Sequence, residues 1–346
     1  MLKNDRFIKA CRREKVDYTP IWLMRQAGRI LKEHQDLWKK YDFMTLCKTP
    51  ALAAEVTIFP VRFLGVDAAI LFSDLLVPCE AMGMKLVFNK DFGPKFPEPV
   101  KSGKDISKLI VPNPYEKMNF VMETIKLTKK ELNGSAPLIG FAGGPFTIAA
   151  HMIEGTNSAR FPGIKKMLFK YPASLHLLLE KAAETITDFL NAQIEAGADS
   201  VMIFDNCAGM LSPDEYREFV LPYTTEIIEN LKKDNCPVIL YVYGCSHLLE
   251  LMVASGPDVI SLDEKTDIAV VKKKVKGKIA LQGNIDALAL YSDPETIKKE
   301  AKKILEKFGK GNGHIFNVGN ALSPDLPVEN VKALIEAVQK ESRVYH

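Results

Sequence analysis

Arg25 and Arg29 bracket the segment Arg25-Gln26-Ala27-Gly28-Arg29, which follows an apolar run, Thr19-Pro20-Ile21-Trp22-Leu23-Met24. Two permanently charged planar forks four residues apart, at the mouth of a buried strand, suit a clamp for carboxylate or phosphate groups. The same pair would also serve as one structural ion pair and one solvated turn residue. Asp74, Asp205 and Asp263 each stand just beyond an apolar run. Pairs of them suit metal binding or acid–base work, and single aspartates at such ends serve equally as helix N-caps or loop clamps. Cys245-Ser246-His247 offers two soft ligands, although that spacing fits the start of a helix better than a zinc site, and no metal is expected.

The elements that must position these groups are legible as eight short apolar runs, at 20–24, 68–72, 137–141, 200–204, 237–242, 259–262, 278–281 and 314–318. Continuous rather than alternating apolar runs fit parallel strands buried on both faces. Helical periodicity lies between them. Leu175, Leu178, Leu179, Ala182, Ala183, Ile186, Phe189 and Leu190 form one stripe of a long amphipathic helix. Ser212-Pro213-Asp214-Glu215 opens another, with Ser as N-cap and Pro in the first turn. Eight strand–helix units predict an α/β fold, a single (β/α)8 TIM barrel occupying 1–346 as one domain. A doubly wound open sheet is the runner-up. Residues 83–114, with apolar runs at 85–88 and 91–96, predict a hairpin and loop excursion after strand 2 that borders the site.

Barrel chemistry sits at the C-terminal strand ends, so the fold converts into a list of site residues. In strand order these ends offer Arg25 and Arg29; Asp74; Gly143 and Gly144, with His151 and Glu154 beyond; Asp205 and Asn206; Tyr241 to Gly244; Asp263 and Glu264; Gln282 to Asn284; and Asn317 to Asn320. Polar groups among many glycines describe a wide cleft for a bulky, polar, anionic ligand. G-x-G-x-x-G and Walker A patterns are absent, so a nucleotide is poorly supported. Apolar residues make up 47% of the 346 and charged residues 26%, an ordinary globular balance. A net charge of +3 argues against nucleic acid or a membrane surface as partner. No apolar run approaches the length of a membrane span, and the opening residues are too polar for a signal peptide. The six cysteines lack C-x-x-C spacing and are read as reduced thiols of a cytoplasmic protein.

The strand ends, in this order, resemble the uroporphyrinogen decarboxylase family. The resemblance is carried by Pro20-Ile-Trp-Leu-Met-Arg-Gln-Ala-Gly-Arg29 and supported in register by Phe72-Ser-Asp74, Gly144-Pro-Phe-Thr147, Met152-Ile-Glu-Gly155, Leu281-Gln-Gly-Asn284 and Gly313-His-Ile-Phe-Asn317. It implies a single barrel, usually a homodimer, and a carboxy-lyase that needs no cofactor. The implied reaction removes carbon dioxide from the four acetate chains of uroporphyrinogen III to give coproporphyrinogen III, a step of haem biosynthesis. Arg25 and Arg29 would clamp acetate and propionate groups, and the backbone of Gln26, Ala27 and Gly28 would line the same surface. Asp74 would accept hydrogen bonds from the pyrrole N–H groups and stabilise a cationic intermediate. The general acid stays open, with Arg29 or a water held by it as candidate.

Three positions depart from the family pattern: His151 stands where the family has Tyr, Asn206 where it has Ser or Thr, and Asn320 where it has His. All three would still contact substrate, with His151 either offsetting the His lost at 320 or simply packed and hydrogen-bonded in place. These departures leave open a paralogue with altered tetrapyrrole specificity, or a tetrapyrrole carrier without turnover. A zinc-dependent corrinoid methyltransferase of the same superfamily is a further alternative. That class places His-x-Cys-Gly on the fifth strand, where this chain has Tyr241-Val-Tyr-Gly244, and this chain has no cysteine after Cys245.

Overall fold

Apolar runs that cannot offer a polar face to water pair with one another edge to edge and bury both faces under helices. The structure is a computed structural model that describes residues 2–26, 30–89, 93–156, 158, 161–232 and 235–346. Among the described residues seven strands form one parallel sheet: β1 (Ala69–Ile70), β4 (Leu138–Gly143), β5 (Ser200–Phe204), β6 (Val238–Tyr241), β7 (Val259–Ser261), β8 (Ala280–Gln282) and β9 (His314–Ile315), adjacent in that order. Every residue of these strands is buried. The fold is therefore α/β with a curled parallel sheet.

Helices return the chain between strands. The helix Pro172–Ala196 buries the whole predicted stripe from Leu175 to Leu190 and stops at Gly197, whose φ of 115° ends the helical turn. Gln193 on its inner face is fully buried, and its amide bonds both the N–H and the carbonyl of Phe141 in β4, at 2.8 and 2.9 Å. The helix Pro213–Phe219 opens with the predicted Ser212 cap, completed by Glu215 as a capping box. No helix among the described residues is long and apolar enough to cross a membrane.

The first predicted strand is not one. Of 20–24 only Ile21 makes a β-bridge, parallel to Phe316. Side-chain oxygens replace the ladder: Asp67 Oδ2 takes the Ile21 N–H at 3.0 Å, Gln26 Oε1 that of Leu23 at 2.9 Å, and Asn317 Oδ1 that of Met24 at 2.9 Å. The segment nevertheless touches both edges of the sheet. Phe316, just after β9, donates to Pro20 O at 2.8 Å, and Asp67, just before β1, donates to Ile21 O at 2.7 Å.

Within 83–114, β2 (Val87–Asn89) pairs antiparallel with β3 (Gly93–Lys95). The rest is not all loop, since Gly103–Lys108 is helical. The chain beyond β3 docks on the end of the helix Pro145–Glu154: Phe96 N–H donates to Gly155 O at 2.7 Å and Val100 N–H to Met152 O at 2.9 Å.

Candidate active site at the strand ends

The loops after the strands gather most of the predicted side chains at one end of the sheet. Arg25 sits on a tight turn with φ of 62°, exposed to solvent. Gln26 builds that turn: its N–H reaches Leu23 O at 2.8 Å, and its buried side chain accepts from Leu23 N and donates to Ala68 O at 2.7 Å. The Gln26 side chain is thus spent on ordering the Arg25 turn against the residue before β1, and does not face a ligand. Ala27, Gly28 and Arg29 lie outside the described residues.

Asp74 follows β1 on a half-buried loop, its Oδ1 accepting the Leu76 N–H at 2.8 Å. Burial raises its pKa above the usual carboxylate value. The Leu76 bond and the charge of Arg25 pull the other way, and Glu80 adds to the rise. Arg25 and Asp74 therefore feel one another across the mouth. Phe72, two residues before Asp74, meets Phe43 edge-on at 5.9 Å, and Phe43 stacks on Phe88 of β2 at 4.8 Å.

Asp205, at the end of β5, is fully buried. Its Oδ1 accepts from both the N–H and the hydroxyl of Thr147, at 2.8 and 2.6 Å, and the Thr147 hydroxyl accepts the Cys207 N–H at 2.9 Å. Burial lifts the Asp205 pKa to about 6 against the pull of these bonds. The clamp joins two carriers of predicted site residues, the turn bearing exposed Asn206 and the helix bearing His151. Gly144 makes room for it, because a Cβ there would lie 2.4 Å from Asp205 Cγ. His151 is half-buried with its ring edge against Phe161 at 5.2 Å, and burial lowers its pKa to about 4. At neutral pH it is a neutral imidazole, a hydrogen-bonding group rather than a cation.

Asp263 is a loop clamp and no partner for Asp205 or Asp74. Its oxygens take the N–H groups of Gly244, Cys245 and Lys265 at 2.7, 3.0 and 3.0 Å, and the Thr266 hydroxyl at 2.8 Å. Cys245 is buried with its thiol raised to about 11, and His247 bonds Leu211 O at 2.8 Å, so each is engaged elsewhere. Among the described residues no three His, Cys, Asp or Glu side chains converge as metal ligands. All six cysteines are buried and free.

Asn320 is half-buried beyond β9, and its buried Oδ1 has no hydrogen-bond partner among the described residues. The sequence did not reveal the holding roles of Thr147 toward Asp205 and of Asn317 toward Met24, nor the Phe43–Phe88 stack. Thr147 and Asn317 stood inside recognised motifs, which was their only signal. The ring contacts join residues far apart in the chain and left none.

Ionisable and amide side chains on loops at one end of a curled parallel sheet, with the charge of Arg25 acting on the half-buried Asp74 carboxyl, are the arrangement of an α/β enzyme. The chain belongs to the uroporphyrinogen decarboxylase family, which it matches over residues 2–341. It is 46% identical over 350 residues to the uroporphyrinogen decarboxylase of Pectobacterium atrosepticum, covering all of this chain and 99% of that one. It is 47% identical over 351 residues to that of Chlorobium phaeovibrioides, covering both chains completely. Among solved structures, a methyltransferase from Methanosarcina mazei superposes with a TM-score of 0.83 at 26% identity, covering 98% of each chain. A B12-independent methionine synthase from Shewanella shares the fold at a TM-score of 0.56 and 15% identity, covering 84% of this chain and 88% of that one.

Proposed function

We propose that this protein is a carboxy-lyase of tetrapyrrole biosynthesis that removes carbon dioxide from the four acetate side chains of uroporphyrinogen III, giving coproporphyrinogen III. The observation that carries the reading is full-length identity of 46–47% to uroporphyrinogen decarboxylases. The methyltransferase likeness is lower in identity, and the soft ligands such a reaction would require are absent from the end of β6, which reads Tyr241-Val-Tyr-Gly244.

The chemistry follows from the substrate. Protonation of the pyrrole carbon beside the acetate-bearing one creates an iminium cation that withdraws electrons from the acetate. Carbon dioxide leaves, the remaining methylene is protonated to a methyl group, and the ring carbon gives up the proton it first received, which restores the aromatic pyrrole. The pyrrole ring acts as its own electron sink. Asp74 binds pyrrole N–H groups and stabilises the cation, an effect strengthened where water is excluded. Arg25 and Arg29 hold the carboxylates, with the backbone of Gln26, Ala27 and Gly28 beside them. Arg29, or a water it holds, supplies the proton. His151 contributes a neutral hydrogen bond, and Asn206 and Asn320 contribute amide contacts.

Contacts of 20–22 with both sheet edges support a closed (β/α)8 barrel in one domain. A homodimer and a cytoplasmic location complete the proposal. Anaerobic incubation with uroporphyrinogen III, products separated by carboxylate number, tests the activity. Stepwise appearance of the four-carboxylate product is expected, and unchanged substrate with well-folded protein overturns the reading.

A further inference from the structure

The loops beyond β6, β7 and β9 meet at Gly319, and one side chain ties them across the mouth of the sheet. Tyr241, the last residue of β6, is buried, and its hydroxyl donates to Gly319 O at 2.8 Å. Gly319 follows β9, so this bond spans the positions of β7 and β8. Burial raises the Tyr241 pKa, which keeps the phenol a donor throughout the working pH range. Gly319 is held on two further sides. Its N–H donates to Ile285 O at 2.7 Å, and a Cβ on it would lie 2.1 Å from Glu264 N. The next residue is Asn320, whose buried Oδ1 meets no donor among the described residues. An amide oxygen in that state is costly until a donor arrives, and the described residues supply none there.

We propose that Tyr241 is a positioning residue: through the Gly319 carbonyl it fixes the peptide that carries Asn320, so that the Asn320 amide is held in place for the substrate. The proposal rests on the decarboxylase reading and extends it to a residue that contacts no substrate itself. The Tyr241 ring packs edge-on against Phe204 at 6.0 Å. Tyr241→Phe therefore deletes the tie and keeps the packing.

The test compares wild type, Tyr241→Phe, Asn320→Ala and the double variant in one anaerobic assay, with melting temperatures alongside. Tyr241→Phe should lower kcat/KM roughly fivefold to tenfold, chiefly through KM. In the Asn320→Ala background the same change should cost less than about twofold, because the group it positions is gone. The melting-temperature shift from Tyr241→Phe should be equal in both backgrounds. Binding of uroporphyrin, followed by its fluorescence, should weaken in the same non-additive pattern. An equal loss of kcat/KM in both backgrounds assigns Tyr241 a merely structural role and overturns the proposal. Absence of turnover by the wild type is a separate result, which removes the activity and this role together.

Discussion

Replacing Asp74 by Asn removes one charge from the place where the proposed cation forms and preserves the shape of the loop. The Asn oxygen can still accept the Leu76 N–H that now binds Asp74 Oδ1 at 2.8 Å. The loss is therefore electrostatic. At about 4 Å and an effective dielectric of about 20, suited to a half-buried carboxyl, one charge pair is worth about 4 kcal/mol. At about 1.4 kcal/mol per decade, that is roughly a thousandfold in rate. The substituted amide also presents an N–H₂ group where pyrrole N–H groups need acceptors, which adds to the loss. Initial rates of the first decarboxylation, measured anaerobically with uroporphyrinogen III in excess, report the effect in kcat. A variant that keeps more than about a tenth of the wild-type rate refutes the reasoning, since that corresponds to less than about 1.4 kcal/mol of charge stabilisation.

Arg25 lowers the Asp74 pKa and burial raises it. Arg25→Gln should therefore move the acidic limb of kcat/KM to higher pH, besides weakening substrate binding; an unmoved limb denies that Asp74 must be ionised. His151, lowered to about 4 by burial, should add no inflection between about pH 6 and about pH 8. His151→Phe should reduce kcat/KM by loss of a neutral hydrogen bond, about tenfold, and unchanged rates contradict a substrate contact. Asp205, raised to about 6, favours folding in its protonated form, a contribution complete below its unfolded pKa and lost as pH rises through about 6. Asp205→Asn should thus gain about 2 kcal/mol relative to wild type between about pH 4 and about pH 7, read by urea unfolding at both; a constant difference refutes this. Gly319→Ala would set a Cβ 2.1 Å from Glu264 N, whereas Gly103→Ala meets only Ser174 Oγ at 3.5 Å. The first should unfold about 3 kcal/mol more easily and the second should be near neutral, as thermal melts would show.

Long apolar runs made the interior of the fold legible. The strands from β4 to β8 fall within a residue or two of their predicted spans, because nothing but burial on two faces suits Val-Ile-Leu-Tyr or Ser-Val-Met-Ile-Phe. The run 20–24 failed because its backbone donors find Asp67, Gln26 and Asn317 side chains, acceptors that no local pattern reveals. The helix Gly103–Lys108 was hidden in a stretch read as hairpin and loop, since six residues are too few to show a period. Residue type and strand-end position, together with the family resemblance, nominated Asp74, Arg25, His151, Asn206 and Asn320. They could not separate Asp263, filled by four donors, from Asp205, whose Oδ2 has no partner among the described residues. That distinction depends on which loops lie within about 3 Å, a property of the folded chain alone. Tyr241 stood among the strand-end residues, but its bond to Gly319 was hidden for the same reason, its partner being 78 residues away.

The central claim is that carbon dioxide leaves the acetate chains of a porphyrinogen in this cleft. Its most direct test is the release of labelled carbon dioxide from uroporphyrinogen III carrying label in either its acetate or its propionate carboxyl groups. The account predicts release approaching four equivalents from the acetate-labelled substrate and none from the propionate-labelled one. Release from propionates, or none from either substrate by folded protein, would contradict it.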